Sequence, residues 1–159
     1  MTSNNNAHSA TVTELHALSS SSSSSTKIGF ISSSHDQTCK QFSFELYLDH
    51  LLNTRIKNIT HEAVYDGHEG IIESMTLFKS FNSNTEYIAS GSSDCLIKIY
   101  DVSTGNEVTT LRGHTESVKC LKASNDGLLL ASGSVDKLIM LEDEQLQEAG
   151  CSSRSHSSC

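Results

Sequence analysis

The sequence predicts an all-β fold built from one antiparallel unit that occurs more than once. Between Gly67 and Asp136 the chain shows one pattern twice: a Gly-His pair, a short apolar run, an Ala-Ser-Gly-Ser string, an Asp and a second apolar run. The Gly-His pairs begin at Gly67 and Gly113, 46 residues apart, and repetition at such a period indicates a repeat architecture. The apolar runs are short and bounded by turn residues, which is typical of strands.

The strands of the two clear copies follow from these runs. They are Ile71–Phe78, Tyr87–Ser92, Leu96–Val102, Glu107–Leu111, Val118–Ala123, Leu128–Ser132 and Leu138–Leu141. The continuous apolar residues from Leu128 to Ala131 predict a strand that is buried on both faces. Segments 103–106 and 125–127 are predicted to be tight turns, because Gly and Asn tolerate positive φ.

A third, diverged copy is predicted upstream of these two. When the segment from Ala7 is laid on the segment from Gly113, His8 falls on His114. Further along, Asp36 falls on Asp94 and Phe42 falls on Tyr100 when the corresponding segments are compared. The predicted repeats therefore cover approximately residues 7–43, 67–101 and 113–143.

The repeated motif resembles that of the WD-repeat family, in which a Gly-His pair is followed by Trp-Asp in four-stranded blades of about 40–45 residues. Tyr100-Asp101 stands where the first Trp-Asp would be, and Glu142-Asp143 stands where the next would be. The resemblance implies a partial β-propeller of about three four-stranded antiparallel blades within residues 1–145. It also implies a hydrogen-bonded chain inside each blade, from Asp through His and Ser to the third strand. The residues concerned are His8, Ser32, Asp36, His68, Ser90, Asp94, Tyr100, His114, Ser132 and Asp136.

Two segments interrupt the repeats. The serine run from Ser19 to Ser25 cannot bury enough apolar area to order itself and is predicted to be a flexible loop. About 12 extra residues lie within Ser43–Ile59, and a short amphipathic helix is predicted there from the spacing of apolar residues. The residues at that spacing are Phe44, Leu48, Leu51, Leu52 and Arg55. In up-and-down blades both segments decorate one rim, while the Gly-His pairs and Asp turns occupy the other.

Charge and hydropathy exclude several classes of protein. The chain has 159 residues, with 11 Lys and Arg against 19 Asp and Glu, for a net charge of −8. This acidic balance argues against direct binding to nucleic acid or to an anionic membrane. No apolar run approaches the ~20 residues that span a bilayer, and the polar start lacks a secretory signal. We therefore expect a soluble protein of the cytoplasm or nucleus.

The cysteines do not form a recognisable metal motif. Cys39, Cys95 and Cys120 lie in or beside strands and are expected to be buried thiols. Cys151, His156 and Cys159 supply only three ligands in a serine-rich segment, which makes a poor zinc site. Residues 146–159 are expected to form a disordered Ser- and Cys-rich tail. No phosphate-binding loop or His-Glu-x-x-His motif is present in the sequence, so we expect no metal and no cofactor.

These observations are compatible with three functions. The leading hypothesis is a non-catalytic scaffold for protein–protein interactions, whose partners meet the Gly-His rim. By resemblance, the partner-binding candidates are His35, Glu69, Ser93, Arg112, Glu116 and Val135. The second is a component of an RNA-processing or ribosome-assembly complex that does not itself hold RNA. The third is a hydrolase that uses His68, Ser90 and Asp94 as a catalytic triad.

Three repeats are too few for a closed ring, which needs about four to eight blades. The leading expectation is that the chain is a piece of a longer propeller protein or a truncated product. The alternative is a homo-oligomer in which two copies of a three-blade unit complete a six-blade ring.

Overall fold

The computed structural model describes residues 7–18, 27–48, 54–81, 83, 85–143 and 154–156. Within these residues the secondary structure consists of twelve strands and no helix. The strands are β1 Val12–Ala17, β2 Lys27–Ser34, β3 Cys39–Leu48, β4 Thr54–Tyr65, β5 Ile72–Lys79, β6 Glu86–Ser92, β7 Ile97–Asp101, β8 Glu107–Leu111, β9 Val118–Ala123, β10 Leu129–Ser134, β11 Ile139–Asp143 and β12 Arg154–His156.

The strands form three antiparallel sheets of four consecutive strands each: β1–β4, β5–β8 and β9–β12. We refer to these sheets as blade 1, blade 2 and blade 3. Each neighbouring pair of strands is consecutive in the chain, as expected when short turns connect antiparallel strands. The predicted all-β architecture of three four-stranded blades, including the diverged first copy, is confirmed.

Blade 2 lies between the other two, and its first strand, β5, contacts both β1 and β9. Two apolar clusters fill the two spaces between the blades. The cluster between blades 1 and 2 contains Ile31, Cys39, Tyr65, Ile72, Met75, Ile88 and Tyr100. The cluster between blades 2 and 3 contains Ala89, Ile97, Ile99, Val118, Leu121 and Leu130. Burial of these side chains is the main favourable contribution to packing one blade on the next.

The helix predicted within Ser43–Ile59 is wrong. Residues 43–48 continue β3, and residues 54–59 belong to β4, with Leu48 paired to Thr54 and Phe44 paired to Ile59. The β-branched residues at the start of β4 suit a pleated surface, and pairing satisfies the backbone groups of both strands. Two of the residues at helical spacing, Leu51 and Leu52, lie outside the described residues, as does the serine run.

The predicted disordered tail differs from the structure at three residues. Arg154–His156 form β12, which pairs with β11 so that Ile139 lies opposite His156. Without this partner, β11 would present unpaired N–H and C=O groups along an edge. The other residues of the predicted tail, 146–153 and 157–159, lie outside the described residues.

The three Asp turns share an unusual backbone conformation. Gln37, Cys95 and Lys137 each have positive φ, at 73°, 69° and 69°. Each lies directly after the turn Asp and donates its N–H to the Ser three residues earlier, as in Cys95 to Ser92 at 3.2 Å. Left-handed backbone costs a non-glycine residue roughly 1 kcal/mol, so the surrounding hydrogen bonds must hold these turns in place.

The cysteines agree only in part with the prediction of buried thiols. Cys39 is fully buried, and burial raises the pKa of its thiol, with the carboxylates of Asp36 and Glu14 adding to the shift. Cys95 is only half-buried, and Cys120 is exposed. Cys120 is exposed because it lies on the face of blade 3 that points away from blade 2.

Candidate functional site

Each blade contains one imidazole held between a carboxylate and a hydroxyl. In blade 2, His68 Nδ1 lies 2.8 Å from Asp94 Oδ2, and His68 Nε2 lies 2.8 Å from Ser90 Oγ. A neutral imidazole protonated at Nδ1 donates to the carboxylate and accepts from the hydroxyl at Nε2. The elements that place the three groups are the segment before β5, the middle of β6 and the turn after β6.

The same arrangement recurs in the other two blades. In blade 3, the His114 ring lies 2.8 Å from Asp136 and 2.9 Å from Ser132. In blade 1, the corresponding distances are 2.9 Å from His8 to Asp36 and 2.7 Å from His8 to Ser32. The structure therefore brings together all three predicted His, Ser and Asp sets.

The turn carboxylate also binds the backbone on both sides of the imidazole. Asp94 accepts from the N–H of Glu69 at 3.0 Å and from the N–H of Leu96 at 3.0 Å. Burial alone would raise the pKa of Asp94, but the hydrogen bonds from His68, Leu96 and Glu69 outweigh it and lower that pKa. Through these hydrogen bonds the carboxylate links the turn after β6 to the segment that leads into β5.

The geometry is that of a Ser-His-Asp triad, but its hydroxyl is inaccessible. Ser90 is fully buried, and Ser32 and Ser132 are each 2% exposed. A nucleophile must reach the carbonyl of its substrate, and a hydroxyl inside a blade cannot do so. What the arrangement can do chemically is satisfy buried polar groups while it fixes the turn.

The candidate partner-binding residues lie together at one end of the blades, which we call the Gly-His rim. His35, Ser93 and Val135 occupy the same position in three successive Asp turns, and their N–H groups donate to the carbonyls that precede the first strands, at 2.9, 3.0 and 3.0 Å. Ser93 is exposed, Val135 is 50% exposed and His35 is half-buried. The remaining candidates, Glu69, Arg112 and Glu116, are exposed on the neighbouring Gly-His segments.

Within the described residues, no group of three or more His, Cys, Asp or Glu side chains is arranged to hold a metal ion. The same part of the chain contains no helix with the length and apolar character that crossing a bilayer requires.

The family model of the WD domain, G-beta repeat, matches residues 59–101 and 105–141, about half of the chain. The chain belongs to the WD-repeat family. The two matched WD repeats contain the networks of blades 2 and 3, whereas blade 1 is the diverged copy.

Curated relatives are longer WD-repeat proteins. The chain is 47% identical over 58 residues to the serine-threonine kinase receptor-associated protein of Dictyostelium discoideum, which covers 36% of this chain and 20% of that protein. It is 41% identical over 78 residues to the nuclear distribution protein nudF 1 of Talaromyces marneffei, covering 48% of this chain and 16% of the relative. The chain thus spans about a fifth or less of the length of these relatives.

Solved structures show the same fold. A chain of Chaetomium thermophilum Polycomb Repressive Complex 2 bound to GSK126 superposes with a TM-score of 0.61 at 20% identity, covering 82% of this chain and 28% of that chain. At this identity the likeness concerns the fold of the WD repeats.

The three WD repeats differ most at the third-strand position where the family has Trp. Phe42, Tyr100 and Glu142 hold this position, since each pairs with the residue two before the network Ser. Phe42 stacks on a neighbouring ring, Phe30, with centroids 5.2 Å apart. Of the three, only Tyr100 has the hydroxyl needed to extend the network.

The Tyr100 hydroxyl also has a partner outside the His-Ser-Asp network. The Tyr100 hydroxyl donates to the carbonyl oxygen of Asp66 at 2.8 Å, so it ties β7 to the segment that leads from blade 1 into blade 2. Burial raises the pKa of Tyr100, and the Ser90 hydroxyl beside it only partly opposes that shift. The Ser90 hydroxyl thus lies beside both the His68 ring and the Tyr100 hydroxyl.

Glu142 is the charged residue at this position in blade 3. Only 7% of it is exposed. Burial raises the pKa of its carboxyl, the neighbouring Asp143 raises it further, and His114 acts in the opposite direction.

Sequence reasoning missed the groups that join one blade to the next. The Glu14 carboxylate of blade 1 accepts from the N–H of Met75 in blade 2 at 2.6 Å. The Ser74 hydroxyl accepts from the N–H of Leu121 in blade 3 at 3.0 Å. A small polar residue within the apolar strand that starts a blade, as at Ser74, is the signal that could have revealed the second of these bonds.

Proposed function

We propose that this WD-repeat chain is a non-catalytic scaffold that presents its Gly-His rim to protein partners. The observation that carries the proposal is that exposed or half-buried side chains of different chemistry lie on turns whose backbone is held by internal hydrogen bonds. His35, Ser93 and Val135 occupy equivalent positions, yet one is an imidazole, one a hydroxyl and one a branched apolar group. Such variation on a constant frame is what specificity for a protein surface requires.

Rigidity of the rim supports this function. The turn carboxylates bind the backbone N–H groups that follow the histidines, at 3.0 Å for Glu69 and 3.1 Å for Thr115. A surface that is already ordered loses less conformational entropy when a partner binds. The relative from Dictyostelium discoideum carries the words receptor-associated in its name, which supports a protein as the partner.

The test is a charge reversal at the rim with a matched control on another part of the surface. Glu69→Lys combined with Glu116→Lys changes two exposed carboxylates of the rim, whereas Glu45→Lys changes one exposed carboxylate near the opposite end of β3. We expect quantitative affinity capture to show loss of specific protein partners with the rim variant and retention with the control. Equal retention by all three proteins, with unchanged melting temperatures, would contradict the rim as the binding surface.

The His-Ser-Asp networks are proposed to stabilise the blades and not to catalyse hydrolysis. Ser90→Ala removes the partner of a buried imidazole nitrogen, so we expect a loss of about 1–2 kcal/mol in the free energy of unfolding, with no change in ester hydrolysis. Ser93→Ala removes an exposed hydroxyl three residues away and serves as the control. A loss of turnover in Ser90→Ala at unchanged stability would instead support the hydrolase hypothesis.

A homo-oligomer is also proposed, because both outer faces of the three-blade unit expose positions that are buried elsewhere. Leu15 is 63% exposed, whereas Leu121, at the equivalent position of blade 3, is 7% exposed. Ile139 is 62% exposed, whereas its blade 2 equivalent, Ile97, is 3% exposed. Each open face is thus equivalent to a face that packs against a neighbouring blade within the chain. In a solution of this chain alone, the blades that could cover the open faces are those of a second copy.

Molar mass in solution tests this association. We expect light scattering to give twice the chain mass, and Ile139→Glu to shift the protein to a monomer. A monomer that melts cooperatively in the unsubstituted protein would contradict association of two copies.

A further inference from the structure

The two spaces between blades differ most at one pair of equivalent positions, where different residue types face each other. Between blades 1 and 2, Tyr65 of β4 packs edge-on against Tyr100 of β7 at 5.5 Å between centroids. Register places Leu111 of β8 where Tyr65 stands, since Cys39 pairs with Tyr65 and Ile97 pairs with Leu111. Between blades 2 and 3 the pair is therefore Leu111 and Glu142, and two aromatic rings are missing.

A cavity lies where those rings would be. It has a volume of about 30 Å³, and its lining includes Phe78, Ile99, Leu111, Leu130, Glu142 and Asp143. We call this cavity and its mouth the Glu142 groove. Most of the lining is apolar, with the Glu142 carboxylate on one wall, and the volume exceeds what one water molecule needs.

The Glu142 carboxylate has no partner of its own within the described part of the chain. It forms no hydrogen bond and no ion pair there, although only 7% of the residue is exposed. The carboxylate oxygens are not fully enclosed, but burial of the side chain disfavours the charged form, and a cation brought into the groove would offset that cost. The exposed Asp143 carboxylate adds a second negative charge nearby, which raises the pKa of Glu142 further.

We propose that the Glu142 groove binds a lysine side chain of a partner polypeptide, with the ammonium group against the Glu142 carboxylate. An ammonium is compact and offers three donors, whereas a guanidinium is a wide planar fork. The apolar lining from Ile99, Leu111 and Leu130 suits the alkyl stem of lysine, which packs well on apolar surfaces. The net charge of −8 on the chain favours approach of a basic segment.

The Glu142 groove is separate from the Gly-His rim. Arg112 and His114 line a second depression that reaches Glu142 from the rim side, and the charge of Arg112 disfavours entry of a cation there. The lysine therefore enters from the Asp143 side, at the outer strands. The inference goes beyond the rim proposal and does not depend on it.

The experiment uses n-butylammonium chloride as a mimic of the lysine side chain and n-butanol as its neutral counterpart. The full chain carries ¹³C-labelled leucine methyl groups, and NMR follows Leu111 and Leu130 during each titration. Glu142→Gln keeps the shape of the side chain and removes its charge, while Glu116→Gln removes an exposed carboxylate from the rim as a matched control.

We expect butylammonium to shift the signals of both leucines, with binding weaker by about tenfold or more for butanol and for Glu142→Gln. Glu116→Gln and the Glu69→Lys, Glu116→Lys rim variant should bind butylammonium as the unsubstituted chain does. Equal binding of butanol, unchanged binding by Glu142→Gln, or no shift at either leucine would overturn the proposal. Should Glu142→Gln fold poorly, the carboxyl ¹³C signal of Glu142 decides: butylammonium must promote its ionisation, and an unchanged titration contradicts the site.

Discussion

The two interfaces between blades share their inner part and differ in their outer part. Near the inner strands, both bury aliphatic side chains, such as Ile72 and Met75 in one and Val118 and Leu121 in the other. Near the outer strands, the first interface closes with two tyrosine rings, whereas the second leaves a cavity next to Glu142.

The part that the two interfaces share lies where the first strands of neighbouring blades meet. The inner part is the same in both because β5 must pack on β1 and on β9, and a backbone N–H of β9 is tied to Ser74 of β5. The outer part adds contacts around this shared inner part. The outer part differs between the two interfaces, with aromatic rings in one and a carboxylate beside a cavity in the other.

The largest effect on stability is expected when Tyr100 of the first interface is replaced by Glu, the residue type at the equivalent position of the second interface. Tyr100→Glu removes the ring contact with Tyr65 and the hydrogen bond to the Asp66 carbonyl, and it buries a charge. We expect the free energy of unfolding to fall by about 4 kcal/mol or more, measured by urea denaturation. Loss of much of the order in blade 1 should accompany it.

Tyr100→Phe is the matched control for that substitution. It removes only the hydroxyl that donates to Asp66, so we expect a loss of about 1 kcal/mol. If both variants lose the same amount, the hydroxyl and not the ring is what closes the first interface, and the comparison of ring against carboxylate fails.

Removal of the turn carboxylate from the central blade should give the next largest effect. Asp94→Ala leaves the Nδ1–H of His68 and the N–H groups of Glu69 and Leu96 without their acceptor. We expect a loss of about 3 kcal/mol in the free energy of unfolding, together with faster amide exchange in both neighbouring blades. Asp126→Ala, in an exposed turn at the opposite rim, should cost less. Exchange that rises in blade 2 alone would show that the two interfaces are held independently of this network.

The architecture could be predicted because each blade repeats the same residue types at corresponding positions. A histidine and an aspartate in step, with a serine between them, identified all three networks, including the diverged one. The partner of Tyr100 could not be found in this way. It is the backbone carbonyl of Asp66, 34 residues away in sequence, and side-chain patterns carry no information on backbone acceptors.

The two errors in secondary structure have a common physical origin. Phe44 and Leu48 are four residues apart, a separation that fits one face of a helix and equally one face of a strand. The β-branched residues Thr54 and Ile56 favour the strand, and pairing with β3 selects it. Likewise, Arg154–His156 form a strand because β11 offers an unpaired edge, a condition that depends on β11 and not on their own side chains.

The smallest expected effects on stability concern two carboxyls of blade 3, and these effects have opposite signs. Burial alone would raise the pKa of Asp136, but hydrogen bonds from the Leu138 N–H, His114 and the Thr115 N–H lower it to about 2. Its contribution to stability is therefore present above about pH 4 and is lost as the pH falls toward 2. Burial raises the pKa of Glu142, so its ionised form destabilises the fold once the pH rises above about 4.5.

Substitution should therefore move stability in opposite directions at neutral pH. Asp136→Asn should lower the urea midpoint at pH 7 and have little effect near pH 2. Glu142→Gln should raise the midpoint at pH 7 and have little effect at pH 4 and below. A parallel loss in both variants would mean that Glu142 already has a cation in the folded chain. The Glu142 groove would then be filled from within, and the second interface would be closed as fully as the first.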